Sequence, residues 1–319
     1  MAQKSFVDAF MDPGLGRNAR LEAISALIDW SAIGDLAARV RSAETGRPPY
    51  AALAMLKTLY LGALYDLSDV QLEEALSDRL SFRHFVGLAL DQPTPDATTI
   101  CRFRTQAIEA GVIEAAFNAV TAQIEAKGLV LKKGTLLDAT IVAARTNRPS
   151  GEAGLGAVRA DEPGAAWTRD SVKQRSFFGY KLHAGVDEGS LIVRRVVFTP
   201  ANIYESLAAD ALITGDERAV YADKAYEHKD RRRRLKALGV KDRIMHRASK
   251  HNPVLGPWKQ KRNHLVARRR APVEGVFSLL KRVHGMARAR LRDIRRNAGD
   301  ALLAVTAYNL KRAASLIAA

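Results

Sequence analysis

Cysteine is almost missing from this chain: Cys101 is the single one in 319 residues. That excludes an intrachain disulfide and any zinc cluster built on cysteine, and it fits a reducing cytoplasm. Long apolar runs are missing too. No stretch approaches the roughly 20 apolar residues of a membrane span. The opening MAQKSFVDAF carries Asp8 early and no apolar run leading to a cleavage site. The expectation is a cytoplasmic protein with no membrane partner. Nucleotide motifs are also wanting. GEAGLG matches neither a Walker A loop nor a dinucleotide fingerprint, because no strand–glycine–helix context carries it. His183 and His228 lack paired spacing with other ligands, so zinc is not expected. Internal repeats and low-complexity tracts are absent.

Negative charge is in short supply. The chain has 34 Asp+Glu against 50 Lys+Arg, a formal net charge of +16. Such a balance favours a polyanionic partner. Residues 20–125 mix both signs, whereas basic residues dominate from Lys229 onward, as in KDRRRRLKALGVKDR and RARLRDIRR. Apolar residues at helix or strand spacing interrupt these runs, so they read as a folded basic surface and not a solvated tail. Binding to a phosphate backbone would then depend on salt.

Residues 17–127 read as helices. PPYAALAMLKTLYLGALYDL starts with a proline pair and is apolar on nearly all faces, as a buried helix would be. Ser68 and Gln71 form a capping box, with a further start at Ser77 or Ser81. Gly111 closes TPDATTICRFRTQAIEAG. From residue 129 the pattern changes. Strand character surrounds Thr135 to Val142. Residues 145–176, rich in Gly, Pro and Ala, read as a loop with at most short helices. FFGYKLHAGVD and LIVRRVVFTP alternate around EGS as a hairpin. Helix, strand, helix and strand follow through DRIMHR. A helix over 263–291, with a break expected near Pro272, and another over 298–317 complete the chain. The expected architecture is an all-helical domain (residues 1–128) followed by an α/β domain (residues 129–319) with a mixed sheet flanked by helices.

Three acids fall where chemistry is plausible in this plan. Asp138, in LLDATIV, sits within a largely buried strand, where a carboxylate is costly unless paired or metal-bound. Asp223, in VYADKAY, lies where a short strand ends, a usual ligand position in such sheets. Glu274 lies early in the late helix. Singly, each reads as well as a cap, turn residue or ion-pair partner. Together they are able to hold a pair of Mg²⁺ or Mn²⁺ ions, which prefer oxygen ligands. Arg270, four residues before Glu274, and Lys281, seven after it, share its helix face and are suited to phosphates. If Pro272 starts a new helix, Arg270 lies just outside it.

Nearly the whole chain resembles bacterial insertion-sequence transposases of the DDE type, in the group typified by insertion sequence five. The matching stretches are LIDWSAI, LKTLYLGALYDLSDVQLEEALSDRLSFRHFVGL and PDATTICRFR, then LLDATIV, GYKLHAGVD, TPANIYES, ADKAY and RAPVEGVFSLLKR. The resemblance implies an RNase H-like fold, cleavage at terminal inverted repeats of double-stranded DNA, and strand transfer into target DNA. It places the three acids on Asp138, Asp223 and Glu274 and the conserved cations on Arg270 and Lys281. The related signature has a tyrosine three residues before the arginine; Ala267 stands there instead.

Further DNA contacts are expected from Lys173, Tyr180 and Lys181 on the hairpin face and from Trp167 stacking on an unpaired base. Arg102 and Arg104 are expected on a recognition helix. The N-terminal helices suit either repeat reading or dimerisation, and synapsis of two DNA ends calls for a homodimer. Two other readings of the chain remain: a nuclease of this fold that does not transfer strands, and a DNA-binding protein without catalysis.

Overall fold

The computed structural model describes residues 16–40, 50–146, 162–170, 175–248 and 253–318. It divides into two compact units. The first comprises Met1–Lys127, Val283–Gly285 and Leu302–Ala319; the second comprises Gly128–Arg282 and Met286–Ala301. The helical unit therefore takes in C-terminal residues that the sequence pattern assigns to the second domain.

Seven of the first unit's helices are α1 (Ala19–Leu27), α2 (Trp30–Ala37), α3 (Ala52–Tyr65), α4 (Asp69–Asp78), α5 (Leu80–Val86), α6 (Ala97–Glu109) and α7 (Val112–Ala126). Their starts follow local chemistry. Asn18, Asp29 and Asp96 each accept a backbone N–H at a helix N-terminus. The capping box of Ser68 and Gln71 forms at α4. The start expected at Ser77 or Ser81 instead falls at Arg79, which makes no side-chain cap. α3 is the central helix, with Leu56, Leu61 and Leu64 buried along it. Its last carbonyls are met by distant side chains. His284 Nδ1 lies 2.8 Å from Ala63 O, and Lys311 Nζ donates to Leu64 O at 2.6 Å.

The second unit is built on a six-stranded mixed sheet, as expected for an RNase H-like domain. The strands are β1 (Thr135–Ala143), β2 (Ala166–Asp170), β3 (Arg175–Asp187), β4 (Val193–Pro200), β5 (Ala219–Ala222) and β6 (Lys241–Ile244). β3 pairs antiparallel with β1, β2 and β4, while β5 lies parallel to β1 and β6 parallel to β5. β2 corrects the expectation of a loop over 145–176: Ala166–Asp170 is a strand because β3 offers it an edge to pair with. Helices α8 (Glu205–Leu212) and α9 (Lys229–Ala237) flank β5, and a 3-10 turn (Lys224–Tyr226) follows it. Leu137, Val220 and Ala222 from the strands pack with Ala209, Leu212 and Leu235 from these helices. α10 (Pro257–Arg270) and α11 (Pro272–Val283) come next, and the last helix is α12 (Ile294–Ile317).

Gly179 marks the bend where β3 passes from β2 to β4. Its φ is +155°, and a Cβ there would run into Val142 O and Ala144 N of the neighbouring segment. Only glycine lets the two backbones approach this closely.

Candidate active site

Strand alternation sets the first two acids. Leu137 faces the core shared with α8 and α9, so Asp138 projects from the opposite face. β1 and β5 pair with Leu136 opposite Tyr221. Asp138 lies two residues beyond Leu136 in β1, and Asp223 is the first residue after β5. Asp223 also opens the 3-10 turn, its carboxylate accepting Ala225 N–H at 2.5 Å.

Arg270, the last residue of α10, reaches this point. Its Nη1 lies 2.7 Å from Asp138 Oδ2, and the two side chains are only 17% and 18% exposed. Burial nonetheless dominates the Asp138 carboxyl and pushes it up to about 6, against the pull of Arg270; Glu205 and Asp223 push in the same direction as burial. Glu205, the first residue of α8, is itself raised by burial, held back by Lys181 and raised further by Asp223. The Tyr226 phenol is raised well above its usual range by burial and by Glu205, Asp138 and Asp223. The side chains that share this electrostatic neighbourhood are thus Asp138, Asp223, Glu205, Arg270, Lys181 and Tyr226. The sequence points to four of them and leaves Glu205 and Tyr226 unmarked. A glutamate opening a helix looks like an ordinary complement to the helix dipole, and nothing local sets Glu205 apart.

The break at Pro272 is real: α10 ends at Arg270 and α11 begins at Pro272. Glu274 lies in the first turn of α11 and is exposed, while Val273, Val276, Phe277 and Leu280 are buried. Lys281 lies in the last turn of the same helix.

Several expected DNA contacts are placed elsewhere. Tyr180 is fully buried and its hydroxyl lies 3.3 Å from Glu162 Oε1, so it does not face solvent. Lys181 is also buried, donating from Nζ to Ile203 O at 2.9 Å and lying 3.7 Å from Glu205 Oε1. The reason is topological: β3 runs between β1 and β4 and is no free hairpin face. Trp167 belongs to β2 and not to a loop, and it packs on Phe178 with ring centroids 5.4 Å apart. Arg104 grips Asp69 with both terminal nitrogens, one at 2.9 Å, which commits it to holding α6 against α4. Arg102 is exposed on α6. Lys173 lies outside the described residues. His183, whose Nε2 lies 2.9 Å from Thr199 Oγ1, is buried and pushed down to about 4 by burial and Lys181.

Two family models cover most of the chain. One, described as a transposase domain of the DUF772 type, matches residues 11–106. The other, the transposase DDE domain, matches residues 131–310. The chain belongs to the DDE transposase family. It is a DNA transposase, and the family works on DNA with divalent metal ions. No solved structure matches the chain. No helix among the described residues is long and apolar enough to cross a membrane.

Asp138, Asp223 and Glu205 are oxygen donors of the kind such an ion prefers. Asp138 is a buried carboxylate whose ionisation calls for a nearby cation; the acids whose charges act on it, Glu205 and Asp223, are hard oxygen donors. The Arg270 guanidinium supplies the positive charge in this arrangement. Among the described residues, no three His, Cys, Asp or Glu side chains stand close enough to hold a metal ion together.

Proposed function

We propose that this transposase binds the terminal inverted repeats of an insertion sequence, cleaves DNA at their ends and joins the freed end to target DNA. Asp138, Asp223 and Glu274 would hold two Mg²⁺ or Mn²⁺ ions. Bound there, the ions would supply charge neutralisation for the attacking and leaving oxygens of an in-line displacement. The chain's own residues position the reactants. Arg270 and Lys281 would grip the phosphates on either side of the scissile bond, and the carboxylates in β1 and just after β5 would hold the reaction centre without rearranging during the step. No covalent protein nucleophile is required.

The observation that supports this reading is a buried acid in β1, Asp138, beside the strand after which Asp223 follows, with the Arg270 guanidinium 2.7 Å from Asp138. The domain roles follow the same reading. Residues 1–128 would hold the DNA ends, assemble a homodimer, or do both, and residues 129–319 would carry catalysis. The affiliation with the insertion sequence five group belongs to this proposal as well.

The test is incubation of the full chain with labelled terminal-repeat DNA and Mg²⁺, beside Asp138→Asn and Glu274→Gln. Wild type is expected to nick and join. Both variants are expected to bind the DNA without cutting it. Unchanged cleavage by either variant would remove that acid from the site.

A further inference from the structure

The charges acting on Asp138 include a carboxylate that the proposed chemistry leaves without a task. Glu205 opens α8, and two buried cations pin the first turn of that helix. Lys181, from β3, donates to Ile203 O and lies 3.7 Å from Glu205 Oε1. Arg231, from α9, is only 3% exposed. Its Nη2 donates to Ser206 O and its Nη1 to Tyr226 O, each at 2.5 Å. Its Nε and Nη2 also grip the Asp210 carboxylate at 3.1 and 3.0 Å. One guanidinium thus ties the residue after Glu205 to the turn that Asp223 opens.

The second observation is Tyr226. Its side chain is fully buried, and its hydroxyl has no hydrogen-bond partner among the described residues. The carboxylates whose fields act on that phenol are Glu205, Asp138 and Asp223. A buried hydroxyl with no partner among the described residues is costly in an arrangement that serves packing alone. It is understandable where a cation and its water complete the arrangement.

We propose that Glu205 is a positioning residue for a divalent cation held by Asp138 and Asp223, accepting hydrogen bonds from the ion's hydration shell, with the Tyr226 hydroxyl joining the same network. This rests on the reading of those two aspartates as ion ligands. Mg²⁺ keeps several of its waters when proteins bind it, so a carboxylate too far for direct ligation still orients it.

The test is a Mn²⁺ titration of the full chain without DNA, read from the electron paramagnetic resonance signal of free Mn²⁺. Wild type is compared with Glu205→Gln, Glu205→Asp and Asp223→Asn, with near-ultraviolet circular dichroism as the check on folding. Glu205→Gln is expected to weaken Mn²⁺ binding by about tenfold or more, the usual loss for an outer-shell partner. Asp223→Asn is expected to weaken it at least as much. Wild-type Mn²⁺ affinity in a folded Glu205→Gln protein, with binding lost in Asp223→Asn, overturns this inference and leaves the proposed function standing. Wild-type affinity in both variants overturns the metal reading of the site itself. If Glu205→Gln does not fold, Glu205→Asp decides: severalfold weaker binding supports the inference, and unchanged binding overturns it.

Discussion

Asp138 should make the metal-free protein less stable as the pH rises, and Asp138→Asn should abolish that dependence. Burial lifts this carboxyl from 3.8 to about 6 in the folded chain. The folded state therefore holds a proton there that the unfolded chain has already released. The stabilisation is complete below the unfolded pKa and disappears as the pH rises through the folded one. Raising a pKa by one is worth about 1.4 kcal/mol, so the whole contribution is about 3 kcal/mol, of which about 2 kcal/mol falls between pH 4.5 and 7.5. Asparagine cannot ionise, and it also takes the partner from Arg270. That second effect offsets the two curves by an amount that does not vary with pH, because the guanidinium stays charged throughout. The measurement is urea unfolding of both proteins in a chelator across this range. The free energy of wild type minus that of the variant should fall by about 2 kcal/mol from pH 4.5 to 7.5. Parallel curves would refute the assignment of a buried, destabilised carboxylate at Asp138. Added Mg²⁺ should flatten the dependence in wild type alone.

Arg231→Met removes the buried guanidinium that serves Ser206 O and Tyr226 O and pairs with the half-exposed Asp210; a loss of about 2–3 kcal/mol is expected in urea unfolding, mainly from the two carbonyls left without a donor. Gly179→Ala drives a Cβ into Val142 O at a φ that only glycine adopts readily; roughly 3 kcal/mol or more should be lost, or soluble expression should fail. Asp187→Ala leaves the N–H groups of Leu131 and Lys132, now accepted at 3.0 and 2.8 Å, without their carboxylate. Its midpoint in urea should fall by the equivalent of about 2–3 kcal/mol, with the slope unchanged.

Much of the plan was legible because it is local. The capping box at Ser68, the hairpin of β3 and β4 and the break at Pro272 all depend on neighbours within a few residues. Asp138 and Asp223 stood out for a similar reason, since an acid within or at the end of an apolar strand conflicts with its surroundings. What escaped is set by partners far away in the chain. Arg104 looked available for DNA, but Asp69 is 35 residues before it and takes its guanidinium. Tyr180 and Lys181 looked solvated, because alternation along β3 does not reveal that β1 and β4 cover its two edges while other elements cover its faces. β2 was hidden by the glycine, proline and alanine around it; its place is fixed by pairing with β3 and by Trp167 meeting Phe178. Glu205 was silent for lack of any local conflict, and the cations that hold its helix come from β3 and α9.

The side chains that close the end of α3 bear on the timing of folding. Ala63 and Leu64 lie within the first quarter of the chain, yet their carbonyls are met by His284 and Lys311. During synthesis, which proceeds from the N-terminus, the helical unit emerges long before either partner exists. Its central helix must wait for the two side chains that meet its last carbonyls until residue 311 has been added. A protein arranged in this way ties completion of its N-terminal helical unit to residues more than 200 positions further along.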